Sequence, residues 1–473
     1  MSQSTTPPAS RRWLALALIA LAQFMVIMDT SIIGVALPKM QASLGFTQEN
    51  LSWVFNAYVV VFGGLLLLGG RLSDLVGARR IFSLGWVILA AGSLVAGLAP
   101  NVAVELTGRG VQGIGAALIA PSALTLLMML FGGNPKELTK AFAFYGAAAP
   151  AGGTAGVFLG GLITEYASWP WVFYINIPVA VLALAAARSL LPGGRAQRGS
   201  IDLLGAAMAT LGLAGAVFAI VRAPEVGWAD PATWGVLVGA AALLVGFVAV
   251  QGKRRQPLMP LSIFRAPNLG AANLAQLLLG AAWVPMWFFL NLYLQQVLGF
   301  SAFPSGAALV PMTLLIMVGM VALAPRLMAR FGAKAMTVTG LVLLAGGLYW
   351  LSFIRADGTF WADVLPASLL AALGMSLAFI PSLQTAISSA KPEEGGLASG
   401  IVNTGYQIGS ALGLAVVTAV AVPYGAGQIG DTAALTDGFS TAFITAAVIA
   451  LAAAALTTAV MRPAKAAQLT KAA

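Results

Sequence analysis

The sequence predicts an all-α polytopic membrane protein of fourteen spans, arranged as two related six-helix bundles plus two extra helices. Three observations lead there. The 473 residues are 59% hydrophobic and 8% charged, with mean hydropathy +0.91, whereas a soluble domain carries about 25% charged residues. Runs of about 20 mostly apolar residues, long enough to cross a bilayer, recur from end to end. Finally, the stretch GGRLSDLVGARR at 69–80 returns in damaged form as APRLMARFGAK at 324–334.

The apolar runs fall near 13–37, 51–70, 81–99, 103–130, 140–163, 171–190, 201–222, 231–250, 268–297, 304–325, 335–354, 362–388, 398–420 and 438–461. Backbone groups in lipid must be paired internally, so these read as helices; no β-barrel alternation is present. The first run is too long for a signal-peptide core and lacks a convincing cleavage site, so it reads as a permanent span. The tails at 1–10 and 462–473 are short ends.

Sliding one repeat copy onto the other pairs Arg71 with Arg326, Gly77 with Gly332 and Arg79 with Lys334, while Asp74 falls on Ala329. A second echo pairs the Ala-Pro-Ser ending at Ser122 with the Ile-Pro-Ser ending at Ser382. The offset is eight helices where a six-plus-six chain would show six. The surplus pair belongs at 201–250, flanked by the polar, basic stretches PGGRAQRG (192–199) and QGKRRQP (251–257). The expected domains are therefore a six-helix bundle over 1–190, an inserted hairpin with linkers over 191–265, and a second bundle over 266–473. Membrane proteins with internal repeats usually carry cargo at the repeat interface by rocking.

With the N-terminus inside, all but four of the 25 Lys and Arg lie on the cytoplasmic side; the four are Lys39, Arg109, Arg222 and Arg355. That asymmetry follows the positive-inside rule and places both termini in the cytoplasm. The net charge of +10 thus reflects topology and contact with lipid headgroups, and no nucleic-acid partner is expected. Cysteine is absent, which removes disulfide and thiol chemistry. Histidine is absent too, so a proton carrier must be a carboxylate.

Asp29 is the sharpest candidate, deep in the first span with no basic neighbour in sequence. A charge at mid-bilayer costs about 3 kcal/mol or more, so it must face protein or a wet cavity, and burial favours the neutral form of a carboxyl. Arg109 enters the fourth span from the outer side, and the two residues reach similar depths, roughly 10–13 Å below the outer boundary. Arginine keeps its charge and can hold the acid ionised without competing for its proton. A static structural pair is the plainer alternative. The tenth span offers no acid and few line the rest of the core, so Asp29 reads as the lone carrier.

Gly70, Arg71, Asp74, Gly77, Arg79 and Arg80 form a candidate cytoplasmic gate after the second span: Gly77 permits a tight turn and Asp74 gains from a helix N-terminus. An insertion signal is the competing reading. Gly152, Gly156 and Gly160, with Gly161, place small residues at four-residue steps that let helices approach closely. On the ninth span Asn273, Gln276, Gly280, Trp283, Trp287, Asn291 and Gln295 fall on one stripe, a candidate substrate wall; tryptophans that are interfacial or merely packed are the plainer alternative. Gln23, Met28, Tyr58, Gln112, Glu165, Asn403 and Gln407 complete the candidate cavity, with Glu165 a secondary acid for cations. Metal-ligand clusters, a phosphate loop and a nucleophile–base pair are all missing, so no enzyme activity, metal or cofactor is expected and an ion gradient is the energy source.

Together these segments resemble the major facilitator superfamily, specifically its fourteen-span drug:proton antiporters. GRLSDLVGARR is similar to the loop motif after span 2, RGVQGIGAA (with Arg109, Gln112, Gly113 and Gly115) to the span-4 motif tied to proton coupling, and MDTSIIGVALP to the first-span motif. WPWVFYINIPV (169–179), PLMPLSIF (257–264) and GGLASGIVNTGYQIGSALG (395–413) extend the likeness over almost the whole chain. Departures are Leu75 where the loop motif often has Arg, Val157 where span 5 normally has Pro, Tyr406 for an Arg, and Gly34 for an Asn. The resemblance implies a major facilitator fold in the bacterial cytoplasmic membrane and export of lipophilic neutral or monocationic compounds by alternating access, driven by protons. Small lipophilic substrates, protons and membrane lipids are the expected partners, and a monomer the expected state. Two rivals stand beside it: an exporter dedicated to one endogenous metabolite, antibiotic or lipid, and a membrane sensor that transports nothing, for which the chain shows no signalling domain.

Overall fold

A computed structural model describes residues 9–48, 50–193, 202–254, 257–390 and 395–462. Much of both basic linkers and most of both tails lie outside the described residues. Among the described residues, fourteen helices are long and apolar enough to cross a membrane. They are α1 (Arg11–Leu44), α2 (Trp53–Val76), α3 (Ala78–Gly97), α4 (Val102–Phe131), α5 (Lys140–Tyr166), α6 (Trp171–Leu190) and α7 (Leu203–Ala223). The rest are α8 (Pro231–Lys253), α9 (Leu269–Val297), α10 (Ala302–Phe331), α11 (Ala333–Leu351), α12 (Phe360–Ser389), α13 (Ala398–Tyr424) and α14 (Thr432–Val460). Each predicted span has its helix. The chain is a multi-pass membrane protein.

The helices divide into two compact units. One holds residues 1–215, 238–258 and 300–310, the other 216–237, 259–299 and 311–473. The boundaries cut through α7, α8 and α10, so this partition differs from one that sets 191–265 apart as a separate hairpin.

In the first unit, α1 lies against α5 so closely that side chains on α5 must be absent. A Cβ at Gly156 would sit 2.9 Å from the Met28 carbonyl, and one at Gly160 2.7 Å from that of Ile32; Gly152 likewise meets the Phe24 carbonyl. Gly161 faces α10, where a Cβ would lie 2.8 Å from the Ala302 carbonyl. α3 and α4 meet glycine to glycine: a Cβ at Gly85 would lie 2.9 Å from the Gly115 carbonyl, and one at Gly115 2.8 Å from that of Gly85. The start of α4 is set by Asn101, whose Oδ1 accepts the Val104 N–H at 3.0 Å, a side-chain cap satisfying one orphan donor.

The extra helices attach to α2. Thr210 of α7 packs over Gly64, and Leu68, Ala206 and Leu258 form a small buried cluster. Asp202, almost fully buried, ties the pair together: it caps α7 through the Gly205 N–H (2.9 Å), accepts from Gln251 (2.6 Å) and pairs with Arg254 (3.2 Å). α8 is the least buried of the fourteen.

The second unit repeats the motif. α11 and α12 meet at Gly340 and Gly374, where added Cβ atoms would lie 2.7 and 2.6 Å from each other's carbonyls. α13 presents Gly405, Gly409 and Gly413 to Asn273, Leu277 and Ala281 of α9. The turns between α2 and α3 and between α10 and α11 run through Gly77 (φ +105°) and Gly332 (φ +84°), backbone geometry that glycine adopts at little cost.

Candidate functional site

Five helices of the first unit meet at one buried polar cluster. Asp29 of α1 and Arg109 of α4 are both fully buried, and Arg109 Nη1 donates to Asp29 Oδ2 at 2.8 Å. The depth match expected from sequence is thus a direct ion pair. Asp29 Oδ1 accepts two more hydrogen bonds, from Gln112 Nε2 (3.0 Å) and Asn176 Nδ2 (2.7 Å). Arg109 also donates to Gln112 Oε1 (2.7 Å) and, through Nε, to the Val54 carbonyl of α2 (2.9 Å). Ser93 of α3 closes the network, accepting from Gln112 (2.8 Å) and Asn176 (3.2 Å). The guanidinium lies over the Tyr58 ring at 4.6 Å, a favourable cation–π placement. Met28, beside the acid, is buried as well.

The energetics of such a cluster are one-sided. Two desolvated charges repay their burial only while both are present and hydrogen-bonded; removing one typically costs about 3–5 kcal/mol. A change of charge on Asp29 therefore acts on α1, α2, α4 and α6 together.

Three members of this neighbourhood escape sequence reasoning. Ser93 is an ordinary hydroxyl in an apolar helix. Asn176 lies within WPWVFYINIPV, and its isolation among apolar residues near the start of a span was the available signal. Glu105 is the serious omission. It is fully buried, and both carboxyl oxygens find no hydrogen-bond partner among the described residues. Asp29 is therefore not the lone acid of the core. Glu105 sits three residues into α4, where an acid reads as a favourable first-turn residue at a helix end, and that disguise hid it.

Other candidates are placed differently from expectation. Glu165 Oε2 accepts the Ala302 N–H at 3.0 Å, capping α10, so this carboxylate already serves a helix end. Gln23 accepts from the Tyr145 hydroxyl at 2.8 Å. Asp74 is an exposed residue in the last turn of α2, where its own helix dipole disfavours an acid, and not at the start of α3 as the loop reading assumed. Arg79 reaches the Leu191 carbonyl beyond the end of α6 at 3.3 Å, and Arg80 is exposed. Gly70 has ordinary space above Pro121, whereas its neighbour Gly69 is pressed against the Ala117 carbonyl of α4.

The α9 stripe lies inside the second unit. Trp283 and Trp287 are buried, their rings 6.3 Å apart, so of the two alternatives for them plain packing stands beside the substrate wall and interfacial exposure does not. Gln276 donates to the Phe379 carbonyl and to Ser382 Oγ, both at 2.9 Å, and Asn291 to the Trp287 carbonyl at 2.8 Å. Asn273 Oδ1, Gln276 Oε1, Trp287 Nε1 and Asn291 Oδ1 are buried without a partner among the described residues. Asn403 bonds back to Ser399 one turn earlier, and Gln407 is half-buried on the same helix.

A family model described as Major Facilitator Superfamily matches residues 19–414 and 326–473. The chain belongs to the Major Facilitator Superfamily. Its fourteen spans and motifs fit the fourteen-span drug:proton antiporter type of that superfamily of transporters. It is 39% identical to the cephamycin export protein CmcT of Amycolatopsis lactamdurans, over 96% of this chain and 93% of the relative. It is 37% identical to the puromycin resistance protein pur8 of Streptomyces alboniger, over 91% and 87%. The fold is shared with the human organic anion transporter MFSD10 at TM-score 0.63 and 19% identity, over 95% of this chain and 100% of that one.

Proposed function

We propose that the chain is a proton-driven exporter of lipophilic, neutral or monocationic antibiotic-like compounds. It would sit in the bacterial cytoplasmic membrane with both termini inside. The observation that carries this reading is the buried Asp29–Arg109 pair, clamped by Gln112 and Asn176 in a chain without histidine. An ionised Asp29 is a pure acceptor and satisfies three donors at once. Protonation from outside replaces that charge with one O–H, weakens the clamp on α1, α4 and α6, and shifts the balance between inward- and outward-open states by the difference in free energy. One proton crossing about 150 mV supplies roughly 3.5 kcal/mol.

The substrate wall is assigned to the α9 stripe. Two buried indoles beside unpartnered amide oxygens and an indole N–H suit an amphipathic molecule with hydrogen-bonding groups of its own. With few acids in the core, monovalent cations and neutral compounds are favoured over dications. Export of an antibiotic by the cephamycin export protein, and resistance to one by the puromycin relative, support the drug class and the outward direction.

The same names favour a second reading, an exporter dedicated to one antibiotic or metabolite made by its own host. A panel of antibiotics tested on a deletion strain, beside untargeted profiling of its secreted metabolites, separates the two: broad sensitisation supports the multidrug reading, and one retained metabolite the dedicated one. The proton assignment is tested by efflux of a fluorescent lipophilic cation from cells carrying wild type or Asp29→Asn. Loss of gradient-driven efflux is expected; undiminished efflux overturns the assignment.

A further inference from the structure

Resting on the proton-coupling reading of Asp29, we infer that Glu105 is a second proton-binding residue, and that it and Asp29 share one proton and one guanidinium, Arg109. Three observations converge. Glu105 is fully buried, and neither of its carboxyl oxygens has a hydrogen-bond partner among the described residues. It stands four residues before Arg109 on α4, a spacing that puts the Cβ atoms of neighbouring helical side chains about 5–6 Å apart. Arg109 Nη2 is itself buried without a partner, while Nη1 and Nε are engaged. The guanidinium thus holds one carboxylate and has an unused donor.

An ionised carboxylate buried without hydrogen bonds is far too costly to persist, and such a group neutralises. Two acids competing for one cation cannot both ionise in a dry site. Glu105 therefore carries a proton while Asp29 holds Arg109. When that proton passes from Glu105 to Asp29, the guanidinium loses its first anion and takes the carboxylate left on Glu105. One O–H bond forms on Asp29 as one breaks on Glu105, and the three groups keep net charge zero in both arrangements. Glu105 lies one helical turn closer than Arg109 to the end of α4 that the charge pattern assigns to the outside.

The charged and titratable groups around it are few. Its own helix contributes Arg109, α1 contributes Asp29, and α2 contributes Tyr58, which lies under the guanidinium. On α3 and α6 the polar groups of the cluster are neutral: Ser93 accepts from Gln112, Asn176 donates to Asp29, and the Tyr174 hydroxyl donates to the Gly97 carbonyl at 2.7 Å. The carboxyl of α5 nearest that end, Glu165, is engaged by the Ala302 N–H.

Infrared difference spectroscopy on the purified full-length transporter in lipid, reading the C=O stretch of a protonated carboxyl against pH, tests the assignment. The expected result is one protonated-carboxyl band in wild type that is lost in Glu105→Gln and shifts in frequency in Glu105→Asp. It should also vanish in Asp29→Asn, because Glu105 then becomes the only anion for Arg109. A band that survives Glu105→Gln, or fails to move in Glu105→Asp, overturns the assignment to Glu105. One that survives Asp29→Asn overturns the sharing. These outcomes are independent of the efflux test, in which only the role of Asp29 is at stake: transport that ignores Asp29→Asn would remove the coupling reading and leave the band assignment standing.

Discussion

The two halves of this molecule are built on one packing scheme and filled with different chemistry. Gly85 and Gly115 bring α3 onto α4, and Gly340 and Gly374 do the same for α11 and α12. Gly152, Gly156 and Gly160 seat α5 on α1, as Gly405, Gly409 and Gly413 seat α13 on α9. Gly77 and Gly332 turn the chain at matching places. Yet the first half buries Asp29, Glu105 and Arg109 completely, whereas among the described residues of α9 to α14 no charged side chain is completely buried, and the nearest to it, Asp363 at the start of α12, is paired with the exposed Arg355. There the interior polar groups are amides and hydroxyls, such as Gln276 with Ser382. The second half shows that helix packing of this kind holds without buried charge. Close backbone approach through small residues supplies the association, so the ions of the first half call for a different explanation, and the proposed proton coupling is one.

That contrast breaks most visibly at Arg109. Arg109→Gln leaves the Asp29 carboxylate buried with its cation gone, and a loss of about 3–5 kcal/mol is expected. The double variant Arg109→Gln with Asp29→Asn turns the cluster into the neutral kind found in the second half. It should recover most of the lost stability while transport stays abolished. Thermal unfolding in lipid nanodiscs, run as a double-mutant cycle, reads the coupling between the two residues directly. A near-additive cycle would mean that the charges contribute nothing as a pair, and the contrast between the halves would lose its meaning.

The shared scaffold makes a smaller and symmetric prediction. Gly115→Ala and Gly374→Ala each push a methyl group into a facing backbone, at 2.6 Å from Leu89 N in one case and 2.6 Å from the Gly340 carbonyl in the other. Overpacking of this sort costs about 1–3 kcal/mol. Both variants should lower the unfolding temperature to a similar extent. Sensitivity in only one half would show that the repeat is sequence ancestry without a common packing rule.

How much of this was legible beforehand follows from what each signal depends on. Span number and position depend on hydrophobicity summed over about 20 residues, and all fourteen were readable. The Asp29–Arg109 meeting was readable because depth along a helix is simple arithmetic at 1.5 Å per residue. Helix rotation was not. α4 is apolar nearly all round, so its sequence does not declare which face meets α1, and Glu105, Ser93 and Asn176 depend on that rotation. Glu165 shows the opposite error. An acid near a membrane face drew a cargo role, while its hydrogen bond to the Ala302 N–H ties it to the start of another helix, a long-range contact invisible to any local window. Asp74 was misplaced by the few residues that separate the end of α2 from the start of α3, a distance at which helix boundaries are commonly uncertain.

The smallest expected effect separates packing from gating. Arg79 donates to the Leu191 carbonyl just past α6, and Lys334, its counterpart in the repeat, donates to the Thr458 carbonyl near the end of α14 at 2.7 Å. Both are cations at the carbonyl ends of helices, an interaction of about 0.3–1 kcal/mol. Arg79→Gln and Lys334→Gln should therefore shift the unfolding temperature slightly and about equally. Transport need not follow stability. If the loop after α2 is a gate, Arg79→Gln slows efflux while Lys334→Gln leaves it near wild type, because only the first copy of the loop kept an acid, Asp74, where the second has Ala329. Equal efflux from the two variants would reduce both loops to helix caps, and the asymmetry between the halves would then rest on the buried charges alone.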